Sequence, residues 1–259
     1  METSNIFLLQ AGYVALTLIC LSFVLFGVRK VYAKTGVPAA QATRRMLTVT
    51  AAVTGWLLLL SILSAAGVFS DFTSMPPKML LAILVPLLFI LWLTFSSSTK
   101  SFLKAVPPQW LIYFQVFRVP VEVLLWIQFL EGLTPVQMTF EGRNWDVLTG
   151  LTAPLFAYLC YGQGRSLRGL AALWHLCGLA LVLNIVVISV LSAPVPFRVF
   201  MNEPANTIVA EFPVIFLPGV LVPLAYGMHL LGLRKAFMAR RTEETPGYTP
   251  TGVSQGSIN

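Results

Sequence analysis

Seven long runs of apolar residues, separated by polar connections, occupy most of the chain. The runs cover approximately residues 6–28, 46–69, 79–95, 109–129, 144–161, 170–191 and 212–233. A transmembrane helix needs about 20 mainly apolar residues, and each run comes close to that length. The pattern therefore predicts an all-α integral membrane protein in which residues 1–241 form a single bundle of seven transmembrane helices.

Polar residues in the first run predict which face of that helix looks inward. Gln10, Tyr13, Thr17 and Cys20 are spaced by three, four and three residues, so they share one side of a helix. The third run, residues 79–95, carries little polarity. We therefore expect the third helix to lie at the periphery and the other six to line a polar interior.

The seventh run contains three prolines at intervals of five residues, Pro213, Pro218 and Pro223. Proline removes a helical hydrogen bond and its ring clashes with the preceding turn. The spacing predicts a seventh helix that is kinked along its length.

The composition supports a lipid environment. Hydrophobic residues make up 57% of the chain and charged residues 10%, with a mean hydropathy of +0.80. Soluble domains carry about 25% charged residues, so this chain cannot cover itself with a hydrated surface. We expect the lipid bilayer to be its main partner, and the net charge of +7 does not lead us to expect nucleic acid.

The basic residues are distributed unevenly between the two sides of the predicted bundle. Thirteen of the 17 Lys and Arg residues lie in the odd-numbered connections or after the seventh run. They are Arg29, Lys30, Lys34, Arg44, Arg45, Lys100, Lys104, Arg165, Arg168, Arg234, Lys235, Arg240 and Arg241. Because cytoplasmic connections collect Lys and Arg, the distribution predicts an amino terminus outside the cell and a cytoplasmic carboxyl terminus.

The composition of the carboxyl-terminal segment and the lack of glycosylation signals bear on where the protein is located. Residues 242–259 read TEETPGYTPTGVSQGSIN, a polar composition that predicts a disordered cytoplasmic tail. The sequence contains no Asn-x-Ser/Thr acceptor, which favours a bacterial source. We therefore expect a multi-pass protein of the cell membrane, the inner membrane of a bacterium.

Two charged residues interrupt the fourth apolar run. Arg118 and Glu122 are four residues apart, and Gln115 precedes Arg118 by three, so all three share a helix face. At 1.5 Å per residue, Glu122 lies about 20 Å from the helix end near Gln109, past the middle of the bilayer. Ionisable residues at such depth indicate function. The alternative is an Arg118–Glu122 ion pair within the helix that only fixes helix register.

A second polar segment, TFEGRNWD, precedes the fifth run. It contributes Glu141, Arg143, Asn144 and Asp146 at the outer membrane boundary. These residues are compatible with the rim of a vestibule above Glu122. They are equally compatible with simple capping of the fifth helix, where a carboxylate favours the positive end of the helix dipole.

The two histidines, His175 and His229, fall at similar depth on consecutive helices. Facing histidines can ligate a b-type haem or a metal ion. The competing interpretation, which we favour, is that each histidine hydrogen-bonds a neighbouring helix. No cofactor is predicted on that interpretation.

These observations leave three functional hypotheses. The leading one is binding or translocation of a small polar solute or proton, with Glu122 as the protonatable or cation-binding group and Arg118 holding either an anionic group or the Glu122 carboxylate. The second is a haem- or metal-dependent redox enzyme that uses His175 and His229. The third is a sensor or assembly subunit with a purely structural ion pair. The sequence contains no recognisable catalytic motif, so we do not expect an enzyme, and it leaves the catalytic residues, the ligand and the oligomeric state open.

Overall fold

The computed structural model describes residues 3–243, and over that range the chain is all-helical, without a strand. This confirms the predicted all-α class. The described range contains nine α-helices: α1 (Thr3–Lys34), α2 (Ala39–Ala65), α3 (Leu80–Phe95), α4 (Ser97–Ala105), α5 (Pro108–Tyr113), α6 (Arg118–Leu130), α7 (Val147–Tyr161), α8 (Arg168–Ser192) and α9 (Val222–Glu243). Helix α9 runs two residues into the predicted tail, and residues 244–259 lie outside the described range.

Several helices are compatible with membrane insertion. Four are long and apolar enough to cross a membrane: α1 from Ile6, α2, the helix Pro108–Leu130 and α8. Helices α3 and α4 together make a fifth candidate, bent by 77°. Helix α7 has 15 residues, because the chain before Val147 folds as a loop, and α9 carries basic residues along its second half. Seven spans are therefore not established by length and composition.

Two of the predicted basic connections are largely helical. Helix α1 continues to Lys34 and α2 begins at Ala39, so the first connection shrinks to four residues, 35–38. The connection that contains Lys100 and Lys104 forms α4. Helix α4 turns sharply away from α3, and its polar composition suits the surface of a membrane rather than its core.

The packing places α8 and α9 against each other at the centre of the molecule. Helix α3 packs on α9, and α1 and α7 pack on α6. Helix α2 is peripheral, because within it only Leu60 and Ser64 are buried. The expectation that the second helix lines the interior is therefore wrong. Helix α3 buries Ala82, Ile83 and Thr94 against the bundle and exposes most of its large apolar residues, among them Leu88, Trp92 and Phe95.

The seventh apolar run starts its helix later than predicted. Pro213 precedes the helix, Pro218 lies in a π-helical segment, Leu217–Leu221, and Pro223 is the second residue of α9. Pro223 has no N–H to donate to the carbonyl of Gly219. The Trp56 indole Nε1–H of α2 donates to that carbonyl instead, at 2.8 Å. The proline spacing thus produces a π segment that is anchored to α2.

The inward face of α1 agrees with its polar spacing except at its first member. Tyr13, Thr17 and Cys20 are buried, whereas Gln10 is exposed. Near the amino-terminal end of α1 the inward-facing positions are Leu9 and Tyr13, and Gln10 lies on a neighbouring, exposed face.

Candidate functional site

The polar centre is built on one face of α6. The residues buried on that helix are Arg118, Val121, Glu122, Leu125 and Gln128, spaced by three or four. A 3-10 turn, Phe114–Phe117, separates α5 from α6 and carries the fully buried Gln115. A 3-10 stretch inside a longer helix often marks a functional hinge.

The loop between α6 and α7 inserts two further polar residues into this centre. The N–H groups of Gly142 and Asn144 both donate to the carbonyl of Thr139, at 3.0 and 3.1 Å. A side chain at position 142 would overlap the backbone of Val136 and Gln137, so glycine permits this tight fold. As a result Asn144 and Asp146 point inward, while Arg143 and Trp145 point outward.

Asn144 binds the Glu122 carboxylate directly. Its Nδ2 donates to Glu122 Oε1 at 2.7 Å and Oε2 at 2.8 Å, and to the carbonyl of Met138 at 3.0 Å. Its Oδ1 accepts the backbone N–H of Asp146 at 3.1 Å. Because a backbone N–H only donates, this last bond fixes the orientation of the Asn144 amide.

Arg118 pairs with Asp146 on α7 rather than with Glu122 on its own helix. The Arg118 Nη2 and the Asp146 Oδ2 form an ion pair, and both side chains are buried. The two helices approach closely one turn beyond, where a Cβ at Gly150 would lie 2.8 Å from Val119 Cγ2. The expected ion pair within α6 is thus replaced by one that joins α6 to α7.

The charges at the centre do not balance. Arg118, Glu122 and Asp146 are 3%, 2% and 5% exposed. Of the side chains described there, one is cationic and two are acidic, so with both acids ionised the centre carries one surplus negative charge. Burying an uncompensated carboxylate is strongly unfavourable. A proton or a cation would restore neutrality.

A cavity of about 50 Å³ lies between the two carboxylates. Glu122 and Asp146 line it together with apolar residues that include Val121, Met138, Ile185 and Leu217. A cavity needs a volume of at least about 10–15 Å³ to hold one water molecule. The cavity therefore has room for a few water molecules or one small cation.

Several buried polar side-chain atoms have no hydrogen-bond partner among the described residues. They include Tyr13 Oη, Thr17 Oγ1, Gln115 Oε1, Arg118 Nη1, both amide atoms of Gln128, Asp146 Oδ1, Thr149 Oγ1 and His229 Nε2. Of these residues, Asp146 lines the cavity. Native proteins satisfy most buried polar groups, by protein or by ordered water. This concentration indicates an interior that water or a polar ligand can enter.

The remaining residues predicted for this site lie apart from the carboxylates. Gln115 Nε2 donates to the carbonyl of Ala225 on α9 at 3.0 Å. Glu141 is exposed and accepts the Trp126 indole N–H at 2.7 Å. The exposed Arg143 guanidinium lies 5.3 Å from the Phe200 ring centre. The structure therefore brings Asn144 and Asp146 to Glu122 and leaves Glu141 and Arg143 at the outer surface of the loop.

The two histidines contact each other in the interface between α8 and α9. Their Nδ1 atoms are 3.1 Å apart, and both rings are buried. In this arrangement the two Nδ1 atoms bond each other directly, and no space for a haem plane separates them. Within residues 3–243, no group of three His, Cys, Asp or Glu residues is placed to hold a metal ion.

The sequence interpretation missed two polar features of the interior. Gln128 is fully buried on the face of α6 that carries Arg118 and Glu122, and that periodicity could have identified it. Gln137 donates to Ser192 Oγ at 2.9 Å and accepts from Asn202 at 2.8 Å. No spacing in the sequence links these three residues, because they belong to separate segments that only the tertiary fold brings together.

The centre combines two carboxylates, one guanidinium and one oriented amide around a small cavity. Such a set can hold and exchange a proton or coordinate a small cation through carboxylate oxygens. No protein-family model, curated protein or solved structure matches this chain.

Proposed function

We propose that this protein binds a proton or a small cation at Glu122 and translocates it through the interior of a membrane-embedded helical bundle. The observation that carries the proposal is that two buried acids, Glu122 and Asp146, line one cavity and have a single buried guanidinium, Arg118, beside them in the described part of the chain. A centre with balanced charges would need no ligand. A buried carboxylate without a cationic partner of its own attracts one.

The residues have distinct roles in this proposal. Arg118 neutralises Asp146 through their ion pair and so leaves Glu122 as the exchanging group. Asn144 holds both oxygens of the Glu122 carboxylate by hydrogen bonds, which orients it. The second oxygen of Asp146, which lacks a protein partner, is available as an additional ligand for the bound species.

Irregular helix geometry on two sides of the centre supports movement as well as binding. The 3-10 turn Phe114–Phe117 immediately precedes Arg118. Leu217 and Pro218, in the π segment, line the cavity. Transporters commonly bind their ions where transmembrane helices are interrupted, because such segments expose backbone groups and change shape easily.

We extend the proposal to the topology of the bundle. Seven spans would result if α7 formed the fifth span and α9, with the π segment before it, formed the seventh. Helix α3 would be the apolar part of the third span. The amino terminus would lie outside and the carboxyl terminus in the cytoplasm of a cell membrane. The distribution of basic residues supports this orientation. It would place the Asn144 loop at the outer surface and the α8 amino terminus at the inner surface.

Ligand-dependent thermal unfolding of the protein in mild detergent tests the binding step. A ligand that binds only the folded state adds about 2.7 kcal/mol of stability at 100 times its dissociation constant. We expect acidification, or one of Li⁺, Na⁺ and K⁺, to raise the unfolding temperature of the wild-type protein. The Glu122→Gln variant should lack this response, since it has lost the surplus charge.

The matched control is Glu211→Gln, which removes an exposed carboxylate that does not line the cavity. It should respond like the wild type. An identical response in Glu122→Gln and the wild type would exclude Glu122 as the binding group. The centre would then be a structural ion pair, as expected of a sensor or an assembly subunit.

A further inference from the structure

The histidine pair is built from the same short motif on both helices. His175 is followed three residues later by Gly178 on α8, and His229 by Gly232 on α9. A side chain at Gly178 would overlap the His229 ring, and one at Gly232 would overlap the His175 ring. Each ring therefore packs on the glycine of the opposite, antiparallel helix, and only glycine at both positions lets the two rings meet.

The bond between the two Nδ1 atoms dictates the tautomers. One Nδ1 must carry a proton and the other must accept it. His229 Nε2 is buried and has no hydrogen-bond partner among the described residues, so no protein acceptor requires this nitrogen to carry the proton. We therefore assign the Nδ1–H donor to His229, with a bare Nε2, and the Nε2–H tautomer to His175.

Gln115 links the helix of His229 to the charged centre. It precedes Arg118 by three residues and donates to the carbonyl of Ala225, one helical turn before His229. Gln115 Oε1, Arg118 Nη1 and His229 Nε2 are all buried and have no hydrogen-bond partner within residues 3–243. Ordered water characteristically bridges such groups.

We propose that His175 and His229 form a proton relay on the α8 amino-terminal side of the centre, so that the species moved through Glu122 is a proton. This inference rests on the proposed function and specifies its substrate. His229 Nε2 accepts a proton from water on the Gln115 side and becomes an imidazolium. Its Nδ1 proton passes to His175 Nδ1, and His175 releases its Nε2 proton to water on the far side.

One proton enters and one leaves, so the charge of the pair is restored after each passage. The two rings end with exchanged tautomers, and both must rearrange before the next proton moves the same way. The relay is therefore slower than an open water channel. It also holds at most one extra proton, because two imidazolium rings would place two donors against each other.

The surroundings of the pair contain few buried groups that could replace it. The elements that pack on α8 and α9 carry the titratable residues Lys100, Lys104, Tyr113, Tyr158, Cys160 and Tyr161. Helices α8 and α9 themselves carry Arg168, Cys177, Tyr226, Arg234 and Lys235 up to residue 238. Of all these residues, only Cys160 and Tyr226 are buried. Lys235 lies six residues beyond His229, toward the carboxyl-terminal end of α9, where its Nζ donates to the carbonyl of Leu103 at 2.7 Å. The Trp174 ring lies 5.2 and 5.4 Å from the two histidine rings and shields them from lipid.

Proton flux in proteoliposomes tests the relay. The vesicles contain an entrapped pH dye, and a potassium diffusion potential drives the flux. The variants His175→Asn and His229→Asn place an amide at the Nδ1 position, which retains a hydrogen bond between the helices but cannot become a cation. We expect each to lower the Glu122-dependent proton flux about 100-fold, the low end of what positioned acid–base groups contribute. Unfolding temperature is recorded alongside, and a purely structural pair would lose stability and not flux.

The outcomes separate the relay from the proposed function. Flux that is lost in Glu122→Gln but unchanged in both asparagine variants overturns the relay and leaves the role of Glu122 standing. Wild-type vesicles that show a Glu122-dependent Na⁺ or K⁺ flux and no proton flux overturn the relay and retain cation transport. Absence of any Glu122-dependent flux overturns both.

A spectroscopic measurement on the unmodified protein covers the case in which the asparagine variants do not fold. The chain has two histidines, so ¹⁵N-histidine labelling gives four imidazole nitrogen signals. We expect one Nδ1–H ring and one Nε2–H ring, with a scalar coupling between the two Nδ1 nuclei. Two rings in the same Nε2–H tautomer would remove the shared proton and with it the relay.

Discussion

Asp146 and Glu122 are both buried acids in the same cavity wall, yet their partners differ. Asp146 forms an ion pair with Arg118, whereas Glu122 receives neutral amide bonds from Asn144. Removing one partner of a buried ion pair leaves the other charge uncompensated. Removing the charge of Glu122 instead relieves a surplus. Two acids of similar burial are therefore predicted to have opposite effects on stability.

We expect Asp146→Asn to lower the free energy of unfolding by about 3–5 kcal/mol. Glu122→Gln should leave it unchanged or raise it, because removal of the surplus charge outweighs the loss of the one Asn144 hydrogen bond that the glutamine NH₂ group cannot accept. Denaturation of both variants in mixed micelles measures the difference. Equal destabilisation by the two substitutions would show that Glu122 has its own cationic partner.

The sequence predicted which residues share one face of a helix, but it did not predict which residues contact each other between helices. The spacing of Gln115, Arg118 and Glu122 placed them on one face, as observed. The ion-pair partner of Arg118 could not be predicted, because it depends on how the loop before α7 folds back on itself. Asn144 and Asp146 were named as candidates together with Arg143. Only the fold of the loop shows that Asn144 and Asp146 point inward and that Arg143 points outward.

Helix contacts in this bundle depend on a few small residues and on backbone carbonyls that a proline leaves without a helical N–H donor. The α8–α9 interface closes only because Gly178 and Gly232 accommodate the histidine rings. By contrast, Gly55 in the peripheral helix α2 has no neighbouring atom within 4 Å of an added Cβ. Replacing glycine by alanine should therefore lower stability at positions 178 and 232 and raise it at position 55.

We predict that Gly178→Ala and Gly232→Ala each destabilise the protein by about 1–3 kcal/mol, the range for overpacking a filled interface. Gly55→Ala should stabilise it by about 0.5–1 kcal/mol, because alanine loses less backbone entropy in a helix. Unfolding curves of the three variants provide the comparison. Tolerance of alanine at both interface positions would mean that the rings do not pack as described.

The anchor between α2 and the π segment gives a second prediction at the element scale. Trp56→Phe removes the donor to the Gly219 carbonyl and should cost about 0.5–1.5 kcal/mol. Pro223→Ala supplies a backbone N–H that can donate to the Gly219 carbonyl. In the Pro223→Ala background the cost of Trp56→Phe should therefore shrink toward zero, as measured by a double-mutant cycle. Additive effects would show that the indole bond does not replace the bond that Pro223 lacks.

Element positions were predictable where apolar runs are long and less so at their ends. Helices α3 and α8 begin and end within a few residues of the predicted runs. The extension of α1 to Lys34 and the formation of α4 were missed, because both segments are polar and were assigned to connections between the apolar runs. The late start of α9 was missed because Pro213 and Pro218 were assigned to the helix interior.

The proposed orientation of the whole molecule rests on its charge distribution and has a direct test. Single cysteines at Met75 and Ser166, both exposed, are introduced after Cys20, Cys160 and Cys177 are replaced by alanine. In intact cells, an impermeant maleimide should label position 75 and not position 166. Labelling of position 166 alone would invert the topology, and labelling of both would remove one span from the count.

The central claim concerns the molecule as a conductor of protons or cations through Glu122. The most direct measurement is potential-driven flux of H⁺, Na⁺ and K⁺ into proteoliposomes that contain the wild type, Glu122→Gln or the control Glu211→Gln. We predict flux of one species in the wild type and the control, and its loss in Glu122→Gln. Equal flux in all three preparations, or none above that of empty vesicles, would contradict the assignment.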